Sequence, residues 1–159
     1  MEPKNETISK GCGGKMTFDL VCIDPGKSTG LAVFMRGTLV FSDALDYQHF
    51  PFLACVSLVA ERPRLTYAHS YEGSTLVISQ RLGFVLGRIQ AKDTKLYYPD
   101  EWKRTIPKPK DGAPYIVAER VRAILRPTEL CFFHADQFDA VDAIGLGLVH
   151  LRRALPGVV

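Results

Sequence analysis

A chain of 159 residues has room for one hydrophobic core, and its 47% apolar and 23% charged residues exclude a disordered or fibrous protein. No apolar run reaches the roughly 18 residues that a membrane-spanning helix needs. The net charge of +3 says little about partners, but its distribution says more: residues 81–110 hold eight basic side chains against three acidic ones.

Residues 1–16 have no apolar stretch and read as a flexible leader, with a single domain expected over 17–159. "FDLVCID" (18–24) has the β-branched and aromatic residues of a buried strand and ends on an acid. The turn "PGKSTG" leads into "LAVFMR", and "GT" at 37–38 leads into "LVFSDA", which predicts a three-stranded antiparallel meander. Residues 45–55 are ambiguous, with Pro51 arguing against a long helix. "VSLVAE" (56–61) is a further buried strand that also finishes on an acid. Apolar residues from Leu76 to Ile89 recur at helical spacing and predict a helix over 74–90, as core or as a dimer seam. "KLYYP" (95–99) is a short strand stopped by proline, "YIVAERVRAIL" an amphipathic helix, and a last helix is expected from about Asp136 to Ala154. The sum is an α/β chain with a mixed sheet, a meander followed by crossover strands.

That last helix raises a problem. Asp136, Asp139 and Asp142 fall at spacing i, i+3, i+6 in an otherwise apolar stretch, where Gly145 and Gly147 suit close packing. Asp136 is explained as an N-cap, and Asp139 is favoured by the helix dipole in the first turn. Asp142 has no such explanation. Like charges on one face repel unless a cation or donors stand between them. Strands that end in Asp24 and Glu61 offer partners, because sites in open α/β sheets gather at the carboxyl ends of strands. Four converging carboxylates suit hard cations such as Mg²⁺ or Mn²⁺, and a pair of such ions about 3.5–4 Å apart suits phosphodiester cleavage.

"LVCIDPGKSTGLAVF", "LVAERP", "YYPDEWK" and "FDAVDAIGLGL" occur in this order, and the set resembles the signature regions of RuvC-type Holliday junction resolvases of the ribonuclease H-like superfamily. It is most similar in kind to the compact phage and bacterial RuvC-like endonucleases. The resemblance covers about residues 18–153 and implies a ribonuclease H-like fold with a mixed five-stranded sheet flanked by helices. It implies that Asp24, Glu61, Asp139 and Asp142 bind two Mg²⁺ ions per site, with Mn²⁺ as a substitute. Lys103, in "PDEWK", would stabilise charge near the scissile phosphate. Lys27, Arg64, Tyr67, Arg104, Lys108 and Lys110 join it as candidate DNA contacts. Arg64 stands where some members carry a phenylalanine that intrudes at the crossover, and Tyr67 is a loose substitute for it. The implied activity is metal-dependent cleavage of four-way DNA junctions by a homodimer, in the cytoplasm of a bacterium or a phage-infected host.

Other features have plainer explanations. "DPGKSTG" lacks the spacing of a phosphate-binding P-loop, so no nucleotide cofactor is expected. Trp102 reads as a packing residue anchoring the Lys103 segment. Cys22, Cys55 and Cys131 read as reduced core thiols, and no CxxC pair marks a zinc site. Three rival functions stand: a broader flap or fork nuclease, a catalytically silent DNA-binding protein on the same fold, and an actin-like nucleotide binder. The last needs two such domains, more than 159 residues provide.

Overall fold

The computed structural model describes residues 16–26, 28–63, 72–103, 105–106 and 114–153; Lys27, Arg64, Tyr67, Arg104, Lys108 and Lys110 lie outside them. Strands β1 (Thr17–Pro25), β2 (Thr29–Met35) and β3 (Thr38–Leu45) form the expected meander. At its second turn Arg36 (φ 51°) and Gly37 (φ 72°) both take left-handed backbone, the primed geometry that matches the twist of a tight hairpin. The ambiguous stretch is a 3-10 turn at Tyr47–His49 followed by β4 (Leu53–Glu61), which starts three residues before the predicted strand. The sheet order is β3-β2-β1-β4-β5, with β1–β4 and β4–β5 parallel and both β2 pairings antiparallel, so only β2 runs against the rest.

Several further element boundaries differ from expectation. Helix α1 is Glu72–Leu86, and Ile89 belongs not to it but to β5 (Ile89–Tyr97), nine residues long where five were expected. The interior of β5 is exposed and charged, as an edge strand tends to be, so it carries no apolar alternation to read. Helices α2 (Pro99–Lys103) and α3 (Pro114–Ile124) follow, then a 3-10 segment at Pro127–Phe132 and α4 (Phe138–His150). Asp136 is not the cap of α4. The Gln137 amide turns back to the His134 carbonyl, Asp136 lies exposed in that turn, and Gln137 takes the cap position without a side-chain bond.

The pleat decides what each strand residue faces. In β1, Val21 and Ile23 pack with Leu58, Ala60, Leu82 and Val85 beneath α1. Leu20 and Cys22 point the other way, into a core shared with α3 and α4. Alternation therefore turns Asp24, and likewise Glu61 after Val59, toward α4. Close packing holds the helix there: a methyl at Gly30 would lie 1.9 Å from the Asp139 carbonyl oxygen, and one at Gly147 would lie 2.3 Å from the Phe34 ring. Cys22 and Cys55 are buried as expected, but Cys131 is exposed. Its 3-10 segment turns Glu129 inward instead, fully buried against β3.

Candidate active site

Strand ends and one helix assemble the site. Ile23 pairs with Ala60 in the parallel register of β1 and β4, so the acids that follow, Asp24 and Glu61, stand beside each other at the carboxyl edge of the sheet. Helix α4 crosses above and brings Asp139 and Asp142 on one face. The Asp139 side chain lies directly over the turn after β1, where a methyl at Gly26 would be 2.3 Å from Oδ1. Helix α2 supplies Lys103, whose Nζ stands 3.7 Å from Glu61 Oε2 and 3.6 Å from Asp142 Oδ2. Asp24, Glu61, Asp139, Asp142 and Lys103 thus form one neighbourhood.

Electrostatics follow from that crowding. Burial pushes the Asp24 carboxyl well above its ordinary value, and the charges of Glu61, Asp142 and Asp139 push it further against a smaller opposing effect of Lys103. Burial also raises Glu61, against the pull of Lys103 and a hydrogen bond from Trp102. Burial alone would lower Lys103, but Glu61, Asp142 and Asp24 outweigh it and hold the ammonium above its usual value. Lys103 is therefore charged at neutral pH.

Donors share out the acids. Ser28 gives Asp139 Oδ2 two hydrogen bonds, from its hydroxyl at 2.6 Å and its amide at 3.2 Å. The Trp102 indole N–H donates to Glu61 Oε2 at 2.7 Å. Sequence reasoning missed both roles. Ser28 was visible only as part of a turn, and Trp102 only as a packing residue, because its bond to Glu61 spans 41 positions. Beside Asp139 an open cleft of about 580 Å³ is lined by Ser28, Asp46, Tyr47, Gln48, Arg81 and Asp139.

The donor chemistry fits hard divalent cations: four carboxylates in one neighbourhood, one of them buried. Their spacing differs from expectation. Among the described residues no three Asp, Glu, His or Cys side chains stand close enough to hold one ion as they are placed. The acids repel one another, and three of them lean on donors instead: Asp139 on Ser28, Glu61 on Trp102, and Glu61 and Asp142 together on the Lys103 ammonium between them.

The sheet order, the single antiparallel member and the helices on both faces define an α/β protein of ribonuclease H-like fold. Among solved structures the chain is similar to Thermus thermophilus RuvC in complex with a Holliday junction substrate, at 14% identity and TM-score 0.48, covering 86% of this chain and 98% of that one. It is also similar to a second Thermus thermophilus RuvC structure, at 19% identity and TM-score 0.45, with the same coverage. These likenesses are of fold. No family model and no curated protein matches the chain.

Proposed function

We propose that this chain is a divalent-metal-dependent, structure-specific endonuclease that resolves four-way DNA junctions by paired nicks as a homodimer. One observation carries the reading: a buried Asp24 with Glu61, Asp139 and Asp142 around it, and a charged lysine reaching into the same group. A purely structural role does not account for it, because four acids gathered from two strand ends and one helix cost stability. The ordered sequence stretches around these same residues favour junctions as the substrate.

Asp24, Glu61, Asp139 and Asp142 would hold Mg²⁺, with Mn²⁺ as a substitute; when bound, such ions activate the attacking water and stabilise the departing oxygen. The chain's own residues do the rest. Ser28 fixes the Asp139 carboxylate. Lys103 remains protonated and can pair with a phosphoryl oxygen as negative charge builds there. Water forms the new P–O bond, the bond to the 3′ oxygen breaks, and that oxygen takes a proton, leaving a 5′-phosphate and a 3′-hydroxyl. Two symmetric nicks need two such sites related by a twofold axis, which a C2 dimer supplies.

Cleavage of end-labelled four-way junction, Y-fork and linear duplex tests the proposal in Mg²⁺. The expected result is paired cuts in the junction, none in the duplex, and a loss of about 10²–10³-fold or more for Asp142→Asn with junction binding retained. Equal cutting of forks and junctions would replace the proposal with a general branched-DNA nuclease. No cutting in either Mg²⁺ or Mn²⁺ would leave a silent DNA-binding protein.

A further inference from the structure

Trp102 is wholly buried, yet it sits in a helix of only five residues. Pro99 opens α2, and the Glu101 carboxylate accepts the Tyr98 amide at 2.6 Å, so the short helix is fixed at its start. Its far end is fixed by the indole. The ring packs against α4 at Gly145, where even a methyl would lie 3.0 Å from it. A buried indole needs an acceptor for its N–H, and any carbonyl nearby would serve. The acceptor here is Glu61 Oε2, at 2.7 Å. The same oxygen is the one 3.7 Å from the Lys103 ammonium. Indole and ammonium, neighbours in sequence, thus meet one carboxylate oxygen from one rigid turn.

Resting on the metal-dependent reading above, we infer that Trp102 is a positioning residue: its indole N–H sets the orientation in which Glu61 meets the divalent cation. Carboxylates that ligate metals are held by hydrogen bonds of this kind, and removal of such a partner typically costs about 10–100-fold in metal affinity. The wedge against Gly145 gives the bond its precision, since α4 also carries Asp142. Helix α2 therefore couples the acid of β4 to the acids of α4.

The chain has one tryptophan, so the intact protein reports on this bond directly. Its single indole N–H resonance is followed by ¹H–¹⁵N NMR during a Mg²⁺ titration without DNA. In parallel, Mn²⁺ binding is counted from the free-ion EPR signal. The resonance is expected to shift with Mg²⁺ and to lose that response in Glu61→Gln. Trp102→Phe, which keeps an aromatic ring but has no N–H, is expected to bind Mn²⁺ about tenfold more weakly or worse. Mn²⁺ binding of ordinary strength in Trp102→Phe, with an indole resonance indifferent to Mg²⁺ in the wild type, would make Trp102 a packing residue and overturn the inference. If Trp102→Phe does not fold, the wild-type titration decides alone. A wild-type protein that binds neither ion would overturn the metal-dependent reading itself, and this inference with it.

Discussion

At Asp24 a carboxylate is sunk to 7% exposure among three other acids, and charging it works against folding. Because its folded value is raised, the stability it contributes is full below the usual carboxylate range and is lost as pH rises toward that folded value. Asp24→Asn is therefore expected to raise the Tm of the metal-free protein at pH 8 and to narrow the difference between pH 5 and pH 8. A gain of one kcal/mol is about 2–4 °C at this chain length. Thermal unfolding in chelator measures it, and an unchanged or lowered Tm would count against the electrostatic load described. Cleavage should be lost in the same variant, the trade of stability against activity usual at functional sites. The acids were legible because each ends a buried strand or interrupts an apolar helix. The hydrogen bonds that orient them were not, since Ser28 and Asp139 lie 111 positions apart and no local pattern marks the pair.

Elements were legible wherever one face is buried. The meander and β4 show it, with alternate residues divided between two cores. Strand β5 shows the limit: charges at Lys92, Asp93 and Lys95 protect an edge and erase the pattern, while Ile89 extends the apolar stripe of α1 past that helix's true end. Helix α4 was legible in type but not in start, because the turn at 134–137 takes up the residues that looked like its first turn. Its seat on β2 yields a prediction. With the Gly30 position only 1.9 Å from the Asp139 carbonyl oxygen, Gly30→Ala must push the first turn of α4 off the sheet. Overpacking of this kind costs about 1–3 kcal/mol. Chemical denaturation should show that loss, and junction cleavage should fall further than stability explains, because Asp139 moves with the backbone.

At the scale of the whole molecule, Glu129 clasps parts that are distant in sequence. Fully buried, it accepts the Leu39 amide of β3 at 2.8 Å, the Arg126 amide at 2.7 Å and both guanidinium nitrogens of Arg153 at 2.7 Å. Arg153 reaches on to the carbonyls of Ile124 and Gly37. Burial alone would raise Glu129, but the Arg153 bonds, the two amides and the Arg153 charge together hold it below the ordinary value. Its stability is thus present above the usual carboxylate range and lost as pH falls through the lower folded value. Glu129→Ala is expected to cost about 3–5 kcal/mol in urea unfolding at pH 7, because it leaves the arginine charge without its partner. A loss under one kcal/mol would contradict the clasp. No local pattern marks this residue in the sequence; the 3-10 turn, which faces it inward, is what brings it to its partners.

The seat of α4 bears on when the cluster of acids can form. Asp24 and Glu61 belong to the first half of the chain, while Asp139 and Asp142 arrive more than 75 positions later on the helix that also closes the second core. During synthesis the sheet edge is made first and stays two acids short until that helix emerges and docks. A chain that stopped before residue 138 would carry two of the four acids and leave the second core without the helix that closes it.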